Sequence, residues 1–421
     1  MRHRIHLCAI ALTVGLASAS FAQDAQLGQS VESLLKYARD SNPEYASMRF
    51  DVVAAQARID PAGALPDPKF RTEWRDITRG GDQNPTLLPG RVGSTRYLLM
   101  QDLPWTGKRE LKREVATSQA DAARGRAEGT WNELASKIKA TYAQLYYHGQ
   151  NRRLNQEILD LMVRLEKVAQ ARYAGGLAAQ QDVIRAQLEQ TAMRTELINL
   201  DTEHRQLLGK LNALIGRSAA EALAEPEQIR SLPAPERSSF PALEQRAREH
   251  NPLLRTEAFQ IRAAEKNREL VYKNRYPDFT VGVSPIQYGG SFREWELMLE
   301  LNIPLQQDSR RAQERESEAM LDAARSRQEQ VSTQILADLY ENVVGLEASR
   351  RTLALIADSL LPQSELTFRS ALAGYESGKV DFATLLDAQK QIRQAKLNQV
   401  AVGMNAQMRL AEIERIVGED L

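Results

Sequence analysis

Three glutamates, Glu294, Glu296 and Glu300, stand at alternating positions of one short segment, and their spacing carries the most chemistry in the chain. In an extended strand alternate residues share a face. Glu294, Glu296, Met298, Glu300 and Asn302 therefore look one way, while Arg293, Trp295, Leu297, Leu299, Leu301 and Ile303 look the other. Isolated carboxylates are too costly for a dry core, so the glutamate face must line water. What it offers is attraction of cations, not bond making. No reactive centre is legible elsewhere. Gly107-Lys108 lacks the upstream glycine and the following Ser or Thr of a phosphate-binding loop. The only cysteine, Cys8, falls in the N-terminal apolar run, which removes disulfides and thiolate chemistry from the rest of the chain. His148, His204 and His250 are widely separated along the sequence, and no ligand cluster is read from them. The expectation is a protein with no catalytic residue, no metal site and no cofactor.

The elements that hold such a wall are strands of the same design. Phe279, Val281 and Val283 oppose Thr280, Gly282 and Ser284, and Phe70, Thr72 and Trp74 oppose Lys69, Arg71, Glu73 and Arg75. Tyr97, Leu99 and Leu103 form a fourth apolar face, which Leu98 and Met100 blur. Strands are expected over about 69–77, 94–103, 278–287 and 292–303. Segments of about ten residues suit a tilted membrane-spanning strand. Beyond the N-terminal run no apolar stretch is long enough for a transmembrane helix, so in a membrane the strands must do the spanning. The apolar faces either cover a soluble core or meet lipid. Lipid demands a closed barrel, and the smallest common barrels use about eight strands. Four per chain then require several copies. Trp74, Tyr97, Trp105 and Trp295 fit a membrane-interface belt or ordinary sheet packing.

Arg2 and Arg4, the apolar run Leu7 to Ala19 and the small residues of Ser20-Phe21-Ala22 read as a signal peptide over 1–22. The 55 Lys+Arg balance 55 Asp+Glu, with no basic stripe for nucleic acid. Aromatics are only 6%, which favours long helices over a deep globular core. The chain repeats itself. Asn42-Pro43 echoes Asn251-Pro252, Asp102-Leu103-Pro104 echoes Asn302-Ile303-Pro304, and Arg172-Tyr173-Ala174-Gly175-Gly176 echoes Gly374-Tyr375-Glu376-Ser377-Gly378. We read a first repeat over 23–216, a Pro- and Glu-rich linker over 217–239 and a second repeat over 240–421. Each repeat places two long helices after its strands, at roughly 107–173, 179–215, 306–374 and 381–417, with apolar residues stepping by three and four. Pro362 predicts a bend within the third of these. On helix pattern alone, a soluble coiled-coil rod, such as a periplasmic adaptor or scaffold, fits as well as a duct.

The duplication, the paired strands before paired long helices and the Tyr-x-x-Gly turns together resemble the TolC-type outer-membrane factor family. Gln101-Asp102-Leu103-Pro104-Trp105-Thr106-Gly107-Lys108-Arg109 and Ala64-Leu65-Pro66-Asp67-Pro68 look most like its heavy-metal-efflux branch. The resemblance implies a mainly α protein with a membrane β-barrel portion: a homotrimer with twelve strands in one barrel, embedded in outer-membrane lipid, continued by twelve helices through the periplasm. It implies a periplasmic adaptor (membrane fusion) protein and an inner-membrane RND-type pump as partners, and a passive exit duct for heavy-metal cations. Export of drugs, or of proteins by a type I system, is the alternative within the same fold. It also implies that Tyr173, Gly175, Gly176, Leu177, Gly374 and Gly378 form adaptor-docking turns at the periplasmic tip. Asp182, Tyr375 and Asp387 match positions that close or ring the tip. Lys379 is the candidate basic partner, one place before the usual one, and Asp381 either joins the ring or caps the following helix.

Overall fold

The computed structural model describes residues 27–78 and 85–421; the expected signal peptide lies outside them. Three short helices, α1 (Val31–Ser41), α2 (Pro43–Ala57) and α3 (Ile59–Gly63), lead into β1 (Lys69–Arg75), β2 (Ser94–Leu103), α4 (Lys108–Ala174) and α5 (Gln180–Leu214). The order then recurs as α6 (Phe240–His250), α7 (Pro252–Lys273), β3 (Asp278–Tyr288), β4 (Ser291–Asn302), α8 (Gln307–Leu355), α9 (Leu361–Glu376) and α10 (Phe382–Val417). The repeats begin alike for a chemical reason. Asn42 Oδ1 accepts from Tyr45 N, capping α2, while its Nδ2 donates to Leu214 O at 2.8 Å. Asn251 Oδ1 accepts from Leu253 N and Leu254 N, capping α7, and its Nδ2 donates to Ile416 O at 2.7 Å. Each asparagine satisfies orphan amides at one helix start and ties them to the last turn of that repeat's final helix.

α4 runs unbroken for 67 residues, about 100 Å at 1.5 Å per residue. It lies along α5, α7 and α10. Close approach depends on small side chains: a Cβ on Gly125 would stand 2.3 Å from Thr256 Oγ1 of α7. The second repeat's counterpart is interrupted. The run expected as one helix over 306–374 divides at a π-helical turn, Ile356–Leu360, where Leu361 N–H bonds back to Ile356 O. Pro362 explains this. It has no N–H to give, and its ring crowds the carbonyl one turn back, so the ladder widens just before it.

Two cores mirror each other near the short helices. Val31, Leu34 and Ala38 of α1 pack on Leu134, Ile138 and Leu145 of α4 with Leu211 of α5. Leu243 and Ala247 of α6 pack on Leu339, Val343 and Leu346 of α8 with Ile413 and Ile416 of α10. The segment 217–239 is irregular apart from a 3₁₀ turn at Pro235–Ser238, yet it is pinned. Arg230 grips the buried Glu414 carboxylate with two bonds of 3.0 and 2.9 Å, and Lys139 Nζ reaches the same group at 2.8 Å. A third core joins both helix pairs at the end remote from the strands.

The strands form a single antiparallel sheet in the order β1-β2-β3-β4. Its register sets Phe70, Leu99, Val283 and Leu297 side by side in one row across all four strands. Leu297 is 89% exposed and Trp295 73%. An apolar row this bare, on a sheet whose two edges are unpaired among the described residues, is a surface awaiting a non-aqueous neighbour.

Candidate channel wall and periplasmic tip

Residues of the opposite sheet face meet in pairs. Arg96 on β2 lies 2.8 Å from Glu296 and 3.7 Å from Glu73, and its Nε donates to Ser284 Oγ at 3.0 Å. Glu294 accepts from Tyr288 Oη at 3.1 Å. Lys69 pairs with Asp102 at 2.6 Å, and Thr280 Oγ1 donates to the same carboxylate. Glu300, opposite Thr280, has no ion pair among the described residues. The wall is thus a ladder of mixed charges rather than a strip of bare glutamates. Arg96, reaching across β3 from β2, compensates Glu296, a pairing that needs the sheet order and register and is not legible in β4 alone. Leu98 and Met100 also belong to this face and are buried, with Leu98 over Gly282, where a Cβ would sit 3.1 Å from Leu98 Cδ1. That contact explains why the alternation in β2 is blurred.

At the far end both helix pairs reverse in the same way. After α4, Leu177 N–H bonds to Arg172 O and Gly176 N–H to Tyr173 O, with Gly176 at φ +69°. After α9, Lys379 N–H bonds to Gly374 O and Gly378 N–H to Tyr375 O, with Gly378 at φ +76°. These are Schellman turns, and a left-handed residue at that place wants glycine. Gly175 is the cap residue of α4, and a Cβ on Gly374 would press on Val380 at 3.0 Å, so a side chain there requires Val380 to give way. Tyr173 and Leu177 are exposed at the first turn.

The two tyrosines of the repeat part company here. Tyr173 is 48% exposed and Tyr375 2%. Tyr375 packs on Phe382 at 5.2 Å and under the Arg172 guanidinium at 5.0 Å. Burial first, and the neighbouring Asp182 carboxylate second, push its phenol above the ordinary value, so it stays a neutral hydroxyl. That hydroxyl has no hydrogen bond of normal geometry. Asp182 is half-buried in the first turn of α5, so the turn brings Asp182 and Tyr375 together. Lys379 is exposed and makes no ion pair among the described residues. The cation at Tyr375 is Arg172, which also donates to Glu376 O at 2.8 Å and reaches Leu177 O at 3.4 Å. Sequence reasoning missed Arg172, although it stands directly before the first tyrosine. Asp381 is the N-cap of α10, accepting from Thr384 N at 2.9 Å and Thr384 Oγ1 at 2.7 Å. Asp387 is exposed on α10, two turns along from that cap.

The separation of the histidines along the sequence does not survive folding. His148 on α4 and His204 on α5 lie with ring centroids 6.0 Å apart, while His250 is elsewhere and exposed. Gly176 stands midway between them in the sequence, and an antiparallel pair folded at that turn sets equidistant residues opposite each other. The turn glycine was the available signal. Among the described residues no group of three or more His, Cys, Asp and Glu side chains is arranged to hold a metal ion.

A family model, that of the outer membrane efflux proteins, matches residues 34–217 and 243–419, most of both repeats. The chain belongs to that family. This outer membrane efflux protein is 23% identical over 413 residues to the cobalt-zinc-cadmium resistance protein CzcC of Cupriavidus metallidurans, covering 94% of this chain and 92% of CzcC. It superposes on the outer-membrane channel OprN with a TM-score of 0.78 at 17% identity, covering 92% and 89% of the two chains. The outer membrane protein VceC of Vibrio cholerae gives a TM-score of 0.78 at 16% identity, covering 93% and 96%. As an outer membrane efflux protein it is a channel of the Gram-negative outer membrane with a periplasmic extension. The fold is the expected one, mainly α with a membrane β portion, and the family is one of channels.

Proposed function

We propose that this outer membrane efflux protein is the passive exit duct of a tripartite pump for heavy-metal cations, working as a homotrimer. The open four-stranded sheet with its bare apolar row carries this reading. Hydrocarbon does not tolerate unpaired strand edges, and three copies edge to edge supply twelve strands, enough to close. The helices continue the passage into the periplasm, where the turns at Tyr173 to Leu177 and Gly374 to Gly378 meet a periplasmic adaptor bound to an inner-membrane RND-type pump. Asp182, Tyr375, Asp381 and Asp387, with Lys379 at the rim, shape the aperture of the tip. Glu294, Glu296 and Glu300 line the outer part of the passage. The metal cargo is supported by full-length similarity to a protein named for cobalt, zinc and cadmium resistance. The wall's mixed charges suit conduction, because tight binding along a duct slows exit.

Deleting the gene and challenging the strain with cobalt, zinc and cadmium salts tests the cargo. Sensitivity to at least one metal, restored by the plasmid-borne gene, is expected. Unchanged tolerance to all three alongside new sensitivity to drugs would transfer the duct to another cargo. Cross-linking of the detergent-solubilised protein should stop at a trimer, and a monomeric product rejects the assembly.

A further inference from the structure

We propose that His148 and His204 form a two-imidazole site for a divalent transition-metal ion, clamped between α4 and α5. Both side chains are more than nine-tenths buried, at 9% and 7% exposure. His148 Nε2 lies 3.2 Å from Glu203 Oε2, and His204 Nε2 lies 3.0 Å from Glu225 Oε1. A carboxylate only accepts, so the hydrogen bond to Glu203 puts the His148 proton on Nε2, and the Glu225 carboxylate beside His204 Nε2 favours the same tautomer there. In the neutral imidazole the lone pair is then on Nδ1. Both Nδ1 atoms are buried and neither has a hydrogen-bond partner. A buried acceptor left empty is costly, and two of them on adjoining rings need a reason.

A metal ion supplies it. Histidine ligands commonly give their second ring nitrogen to a carboxylate, which fixes the tautomer and leaves the other nitrogen for the metal. Glu203 and Glu225 stand in that supporting position. With zinc–nitrogen bonds of about 2.0–2.1 Å, two rings on one ion have centroids about 5–6.5 Å apart, and the observed separation is 6.0 Å. The carboxylates are spent on the Nε2 edges, so the protein contributes two ligands and water completes the shell. Three segments meet here: His148 comes from α4, Glu203 and His204 from α5, and Glu225 from the segment after α5. Occupancy therefore fastens α4, α5 and that segment to one another. The site rests on the two rings and their unpartnered Nδ1 atoms and is independent of what the duct exports.

Equilibrium dialysis of Zn²⁺ against the mature protein in detergent tests it, using wild type, His148→Ala, His204→Ala, His148→Gln and, as a control, His250→Ala. Wild type and the His250 variant should bind one ion per chain at the pair and show a rise in Tm with Zn²⁺. All three site variants should lose at least tenfold in affinity and lose the rise in Tm, while keeping the wild-type oligomeric state and metal-free Tm within a few degrees. Retention of wild-type affinity in either alanine variant overturns the proposal. So does loss in the His250 control, or a wild type that binds no ion per chain. A metal-resistance phenotype plays no part in this readout, so the cargo assignment stands or falls separately.

Discussion

Tyr375 and Tyr173 hold equivalent places, yet only Tyr375 is enclosed, under Arg172 and beside Asp182. Tyr375→Phe removes a hydroxyl and leaves both ring contacts, and Asp182→Ala removes the carboxylate. Each should raise single-channel conductance in planar bilayers by roughly twofold or more if these groups constrict the tip. Arg172→Ala should do the same, and Asp387→Ala should lower cation preference with conductance little changed. Unaltered traces for Asp182→Ala and Tyr375→Phe reject the gate. Asp381 gives a pH test. Its hydrogen bonds from the Thr384 side chain and backbone hold the carboxyl below its ordinary value. Such a group stabilises the fold above its unfolded pKa, and that contribution is lost as pH falls through the lower folded value. Amide exchange in the first turn of α10 should therefore rise faster below about pH 4 in the wild type than in Asp381→Asn. At this scale the sequence was partly legible. The turn glycines and the capping aspartate announce themselves through backbone chemistry, whereas Arg172 and the His148–His204 pair depend on which helix lies beside which.

The long helices were legible from absence of proline and steps of three and four, because those follow from local geometry. The π turn was only half legible. Pro362 forecasts a defect, but whether the ladder bends or widens is a matter of the packing around it, where Ile356 is buried. The tip pair is held by Phe382, fully buried against Tyr375 and the surrounding leucines. Phe382→Ala should cost about 3–5 kcal/mol as a core cavity. The loss should appear as earlier melting and faster proteolysis at the tip, with the sheet intact; a wild-type melting curve contradicts the packing assigned to that core. In the sheet, the alternation of β4 reads directly from sequence. β2 does not, since Leu98 is apolar on the wet face for the sake of Gly282.

For the whole molecule, the duplication was written in the sequence and returns in the structure as matched asparagine caps, matched cores and matched turns. Closure enters only by argument, from four strands being too few for a barrel, because a chain carries only its own edges. The bare row predicts a depth-dependent penalty. Leu297→Arg should destabilise the proposed trimeric barrel by about 2–4 kcal/mol if Leu297 sits near the bilayer midplane, measured by heat-induced dissociation of that assembly. Glu300→Arg, on the other face, should leave dissociation nearly unchanged. Equal effects from both would mean that the two faces of the sheet meet similar surroundings.

The turn before Pro362 divides mechanical labour inside a single polypeptide. α4 is a stiff strut whose backbone bonds run from the strands to the tip without a break. Its counterpart carries a widened, still hydrogen-bonded turn between Leu355 and Leu361. A load applied along both long helices is therefore carried by one continuous ladder in α4 and meets a change of ladder in its counterpart, before the core that ties α9 to α4.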